Sequence, residues 1–459
     1  MARRARRRFP VLQHCRRASA ALPFAERAPA RLPWPPRRAA PFAVRHRGSA
    51  AFHFDPASTP RRSQALQEFS QRATIVRRDA SAPTAATSRG AREPFRSPAA
   101  DGALVHAFRA PAHRPGAPAD SELNAQRSTQ PGGASMPKAI RYDQPGGPEV
   151  MKWVDVDVGA PQPGEVRIKQ HAVGLNYIDV YFRTGLYPQP LPGGLGMEAA
   201  GEVTEIGDGV TTLKPGDRVA YVAQPPGAYA QERVLSAAKL VKLPDGIGYD
   251  DAASAMLQGL TAQYLLRRTY PVKPGDTILI HAAAGGVGLL VCQWAKALGA
   301  TVIGTVGSDE KAALAKSHGC DHPIVYTREN FTERVKEITN GAGVPVVYDS
   351  IGKDTYVGSL DCLAPLGLFV SFGNASGPLP PIDSKAFSSR GSLFFTRPTL
   401  FSYIAKREDL DRNAAELFDV LTSGRVKTSI QQRYPLENVA QAHRDLEARR
   451  TTGSTILVP

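Results

Sequence analysis

Between an apolar run and an amphipathic one lies the segment His281-Ala282-Ala283-Ala284-Gly285-Gly286-Val287-Gly288. Glycines at a strand-to-helix turn let backbone approach a pyrophosphate, and the helix start behind them offers free N–H groups and a positive dipole end. Ala284 takes the first glycine slot of a G-x-G-x-x-G pattern, so the motif alone does not separate a nucleotide turn from an ordinary tight one. Its place at the first turn of a strand, helix, strand series favours the nucleotide. Which nucleotide is a question of charge at the end of the next strand, Gly304-Thr305-Val306-Gly307-Ser308. An acid there would accept from a ribose 2′-hydroxyl and repel a 2′-phosphate. No acid stands at that tip; Ser308 can donate to a phosphate, and Lys311, one helical turn on, supplies a point charge. Asp309 and Glu310 read as ordinary dipole partners of a first helical turn. The expected cofactor is NADPH rather than NADH, with Lys311 as a plain surface residue the competing reading.

Other reactive side chains offer less. His171, His281 and His318 are isolated, and none pairs with a Ser or Asp at a recognisable triad spacing. His281 is expected to be a packed residue with a satisfied ring nitrogen. Cys15, Cys292, Cys320 and Cys362 form no CxxC pair, which points to a reduced, cytoplasmic setting.

The elements that must position these residues follow from apolar periodicity. Alternation over residues 166–170 and 200–206 predicts short strands, with a turn at Lys214-Pro215-Gly216-Asp217. Helical patterning over 252–268 leads to a strand at 277–281, the Gly-rich turn and a helix over 288–298. A strand over 300–305, a helix over 310–318, a strand at 324–326, a helix over 331–339 and a strand over 344–349 continue the rhythm. A helix over 409–423 and a strand over 454–458 close the chain. This alternation predicts an α/β fold with a doubly wound parallel sheet, preceded by a β-rich block. The uncharged stretch from Thr277 to Ala295 holds His281, Gln293 and three glycines, and reads as strand, turn and helix rather than a membrane span.

The chain has 459 residues and a net charge of +15. Residues 1–135 carry 24 Arg, no Lys and eight acids, whereas the remainder carries 33 basic against 34 acidic residues. The basic excess therefore belongs to an Arg-, Ala- and Pro-rich extension expected to be disordered. Its Lys-free composition suggests translated upstream sequence, with Met136 the true initiator; a targeting segment or a basic tail for an anionic partner are the alternatives. A near-neutral core gives little support to nucleic-acid binding or a membrane role.

The motifs Gly174-Leu175-Asn176-Tyr177-Ile178-Asp179, Gly196-Met197-Glu198-Ala199-Ala200-Gly201, Gly216-Asp217-Arg218-Val219, residues 284–288, Gly259-Leu260-Thr261-Ala262 and Ser371-Phe372-Gly373-Asn374 come together in one pattern. From residue 136 onward the chain resembles the quinone oxidoreductase (zeta-crystallin-like) branch of the medium-chain dehydrogenase/reductase superfamily. That resemblance implies a GroES-like catalytic domain over 136–257, completed by 398–459, around a Rossmann domain over 258–397. It implies NADPH in the cleft between them and a homodimer through the edge around Gly391 to Thr396. Met197 and Asn176 stand where zinc-dependent members of the superfamily hold His and Cys ligands, and neither side chain suits such a site, so no metal is expected.

The resemblance places Asn176, Tyr177, Tyr181, Tyr264 and Ile351 along the cofactor, with Gly286 and Val287 at the pyrophosphate. Gly307, Ser308, Lys311 and Tyr326 would surround the adenosine phosphate. Gly373 and Asn374 would lie near the nicotinamide, with Arg397 and Arg449 in reach. Asn176, Tyr181 and Tyr187 are the expected catalytic side, where an amide orients a carbonyl, a phenol donates to a developing oxyanion, and Tyr187 stands at the pocket mouth. The implied reaction is transfer of reducing equivalents from NADPH to a quinone. An enoyl or enone reductase, an inactive descendant, and an NADPH-retaining nucleic-acid-binding or structural protein are the alternatives.

Overall fold

A computed structural model describes residues 135–459; the expectations of disorder and of a late start for the Arg-rich extension lie outside the described residues. Strands β1 (Lys138–Arg141) and β2 (Lys152–Asp155) form a small antiparallel ribbon. Next come β3 (Glu165–Leu175), β4 (Glu198–Ile206), β5 (Arg218–Val222), β6 (Glu232–Ser236) and β7 (Leu240–Lys242), all antiparallel to their neighbours. Strand β3 is longer than the alternating patch that announced it, because its second half, Ala172 to Leu175, is buried throughout and so shows no period of two.

Six strands then form a separate parallel sheet: β8 (Thr277–Ile280), β9 (Thr301–Val306), β10 (His322–Val325), β11 (Val344–Asp349), β12 (Leu363–Ser371) and β13 (Phe394–Thr396). Their spatial order is β10-β9-β8-β11-β12-β13. This is the doubly wound dinucleotide order, whose switch point lies between β8 and β11. Finally β14 (Ile430–Pro435) and β15 (Ser454–Val458) return to the first sheet, where β15 pairs with β3 opposite Val173 to Leu175.

Four helices carry the site. Helix α1 (Tyr177–Arg183) follows β3, α2 (Tyr249–Tyr264) crosses to the parallel sheet, and α3 (Gly286–Ala297) and α4 (Asp309–Ser317) follow β8 and β9. The predicted helix over 252–268 starts earlier and ends in a π-helical turn, Leu265–Thr269, closed by the Tyr270 N–H on the Leu265 carbonyl at 3.2 Å. One apolar core fills the space between α2, α3 and the parallel sheet, a second fills the β-rich sheet, and a third lies on the other face of the parallel sheet. The uncharged stretch is resolved as strand, turn and helix, and among the described residues no helix is long and apolar enough to cross a membrane.

Candidate active site

The turn after β8 begins with Ala282 in a left-handed conformation, φ 56°. Gly285 caps α3, two residues earlier than the periodicity suggested. The three glycines serve different ends. A Cβ on Gly286 would fall 1.9 Å from Gln258 Oε1, and one on Gly288 2.3 Å from the Ala282 carbonyl, so both are demanded by protein neighbours. Gly285 is the least crowded of the three, its Cβ position meeting the Ala282 carbonyl at 3.3 Å, and with Gly286 and Val287 it forms the start of α3.

At the end of β9, Gly307 leaves room for Tyr326, whose hydroxyl would lie 3.0 Å from an added Cβ. Ser308 caps α4, accepting from the Lys311 N–H at 3.3 Å. Lys311 Nζ donates to the Arg449 carbonyl at 2.7 Å. The Arg449 backbone, at φ 59°, joins the Ser308 and Lys311 corner. Burial and the neighbouring Arg449 charge lower the Lys311 pKa. Among the described residues neither cation has a carboxylate within ion-pair distance, while Asp309 is taken by Arg328 at 2.6 Å. The Ser308 side chain also bonds the Glu310 carboxylate, so the corner gathers two cations and one acid at a helix N-cap.

Across the cleft, α1 and the loop that follows it present three phenols to the parallel sheet. Tyr181 Oη accepts from the Asn374 N–H at 2.8 Å, and Tyr177 Oη donates to the Ala375 carbonyl at 3.3 Å. Tyr187, packed edge-on to Tyr181 with ring centroids 5.2 Å apart, accepts from Arg397 Nη2 at 3.0 Å. The Asn374 amide satisfies its surroundings when its nitrogen donates to the Gly373 carbonyl at 2.8 Å and its oxygen accepts from the Tyr187 hydroxyl at 3.2 Å. Arg397 Nη1 donates to the Ser371 carbonyl at 2.9 Å. Burial raises the Tyr181 pKa far above the phenol range, so its proton stays on and has no acceptor among the described residues.

Gly373 packs on Ser350, 2.5 Å from the position of a Cβ, and Ile351 donates its N–H to Asp349 Oδ1 at 2.8 Å; both lie at the ends of β12 and β11. Tyr264 is buried and stacked on Tyr403 at 4.4 Å, behind the phenol cluster rather than bonded to it. Met197 is fully buried in the apolar core of the first sheet.

The hydrogen-bond partners of Asn176 and His281 had no signal in the sequence. Asn176 lies at the N-cap of α1, its N–H on Asp179 Oδ2 at 2.9 Å and its side chain between Glu198 and Gln258. Glu198 and Asp179 are both fully buried, and burial raises them to about 8 and about 7. His281 is not isolated: its ring nitrogens meet Thr305 Oγ1 at 2.8 Å and Ser359 Oγ at 2.9 Å, and Asp349 lies 3.9 Å away. Ser359 spends its proton on Asp349 at 2.8 Å and is buried, so this is a structural knot under the strand ends rather than a nucleophile triad.

Comparison with known proteins places this geometry. Residues 162–245 match the alcohol dehydrogenase GroES-like domain, and residues 286–419 match the zinc-binding dehydrogenase family. A quinone oxidoreductase of Pseudomonas aeruginosa is 55% identical over 71% of this chain and 100% of its own. The chain belongs to the quinone oxidoreductase branch of the medium-chain dehydrogenase/reductase superfamily. A 2-haloacrylate reductase of a Burkholderia species is 48% identical over 68% of this chain and 96% of its own. The crystal structure of Escherichia coli quinone oxidoreductase complexed with NADPH superposes with a TM-score of 0.69 at 48% identity, over 70% of this chain and 100% of that one.

Proposed function

We propose that this branch member is a zinc-independent quinone reductase that uses NADPH. The observation that carries the cofactor is the corner of Ser308, Lys311, Tyr326 and Arg449, where two cations without carboxylate partners meet a helix N-cap. That corner fits a 2′-phosphate, and the helix-start backbone at Gly285, Gly286 and Val287 fits a pyrophosphate. When bound, NADPH supplies the hydride. Tyr181 holds a proton for the quinone oxygen, because its own oxygen accepts from Asn374 and its hydrogen is free. The Asn176 amide orients the acceptor carbonyl, while Tyr187 and Arg397 close the mouth of the pocket.

The sheet memberships support a catalytic domain of residues 136–257 with 398–459 and a cofactor domain of residues 258–397. The edge strand β13, with Phe394 and Phe395 exposed, supports a homodimer through that edge. The free, buried Cys292, Cys320 and Cys362 support a cytoplasmic protein.

The test is NADPH oxidation against 1,4-quinones, enones, 2-haloacrylates and enoyl thioesters, with chelator present. Quinones are expected to turn over undiminished by chelator. Loss with chelator would refute zinc independence, and turnover confined to activated alkenes would replace the quinone as acceptor.

A further inference from the structure

Four buried polar side chains link the cofactor turn to Asn176. Ser454 Oγ donates to Gln258 Oε1 at 2.8 Å, and Gln258 Nε2 donates to Asn176 Oδ1 at 3.1 Å. Asn176 Nδ2 donates to Glu198 Oε1 at 2.5 Å, and the Leu257 N–H donates to Glu198 Oε2 at 2.5 Å. No member is more than 6% exposed. Every donor in this chain points the same way, and the chain ends on a carboxylate, which when ionised has no proton to give. The Gln258 oxygen also fills the space a side chain on Gly286 would need, so the same amide touches the pyrophosphate turn.

We propose that Glu198 is a positioning residue, whose ionised carboxylate fixes the orientation of the Asn176 amide through this one-way chain. The proposal rests on the quinone reductase reading and adds to it a residue two elements away from the acceptor. Its physical content is a reversal. With a proton, or an amide nitrogen, on the Oε1 side of residue 198, Asn176 must offer Oδ1 there and Nδ2 to Gln258. Gln258 then turns and donates to Ser454, which keeps a donor outlet in the Ser254 carbonyl at 3.4 Å. All hydrogen bonds survive, while the Asn176 and Gln258 amides are both inverted and the Ser454 hydroxyl turns to the Ser254 carbonyl.

Around Glu198 stand the Asp179 carboxyl of α1, the Tyr221 phenol of β5 and the Tyr229 phenol, and among the described residues no cation pairs with it. Burial, joined by Asp179, raises its ionisation to about 8, which brings the reversal within an accessible pH range.

The experiment uses the full chain carrying Glu198→Gln, assayed for NADPH-dependent quinone reduction from pH about 6 to about 10, with NADPH affinity measured separately by fluorescence titration. In the unsubstituted protein kcat rises with pH as Glu198 ionises. The variant lacks that limb and runs about ten-fold below the alkaline plateau, with its NADPH affinity within about two-fold. A variant that keeps the limb and the plateau overturns the proposal while leaving the reductase reading in place. No quinone turnover by the unsubstituted protein overturns the reading itself. Should the variant fail to fold, carbon-13 titration of glutamate carboxyls in the unsubstituted protein decides. A glutamate titrating together with the kinetic limb supports the proposal, and a flat profile with no glutamate titrating above the ordinary carboxylate range overturns it.

Discussion

In the proposed reaction Tyr181 is the proton donor, because its oxygen is already used by the Asn374 N–H and among the described residues its hydrogen has no acceptor. Tyr181→Phe should therefore lower kcat with quinones by ~10²-fold, the low end of what a positioned acid contributes, with little change in NADPH affinity. A fall in affinity with kcat preserved would make Tyr181 a wall of the site instead. At the other end of the cleft, Lys311→Ala removes one charge-assisted contact, worth about 1.5–3 kcal/mol, so kcat/KM for NADPH should fall ~10- to 10²-fold. NADH, which has no phosphate to lose, serves as the control, and an equal loss for both would remove the 2′-phosphate assignment. The juxtaposition of Ser308 and Lys311 is legible in the sequence because it is local, a cap and a charge one turn apart. The Gly196–Gly201 motif gives Glu198 no role by itself, and Gln258 lies 82 residues from the Asn176 to which it bonds. Nothing in a run of residues announces such a pairing, since it exists only once β4, α1 and α2 pack.

The start of α3 shows how an element inherits requirements from its neighbours. Periodicity placed this helix within two residues, since α3 and β8 bury continuous apolar faces. It could not say why Gly286 is glycine, which is set by the Gln258 amide lying where a Cβ would go. Gly286→Ala should push that amide aside, lower stability by roughly 1–3 kcal/mol as overpacking does, and weaken NADPH binding. Gly285→Ala, with one contact at 3.3 Å and an extended backbone, should be far milder in chemical denaturation. If the two alanine variants unfold alike, the close approach of Gln258 is not what fixes Gly286. The rhythm of strand and helix was legible for the same reason the ends were not. Burial sets the pattern along an element, whereas caps, a π turn and the all-buried half of β3 are decided by what meets its ends.

Two buried carboxyls, Asp179 and Glu198, and two buried imidazoles, His281 and His443, both lowered by burial, tie the stability of the folded chain to pH in a definite sense. Asp179 and Glu198 are raised to about 7 and about 8, above their unfolded values near 4, so the folded state holds more protons and stability falls as pH rises through that interval. His443 is lowered to about 3, so it works the other way, with stability lost as pH falls below the ordinary histidine value of about 6.5. Below that value the two effects oppose each other; between pH about 6.5 and about 8 the carboxyls act alone. Unfolding by urea across that window should show a steady loss of stability. Glu198→Gln, which cannot ionise, should lose less over the same range, with Asp179 accounting for what remains. The difference between the two curves must therefore move in the variant's favour towards the alkaline end. Parallel curves would mean that Glu198 is already ionised throughout, held down by the Asn176 and Leu257 donors more strongly than burial raises it.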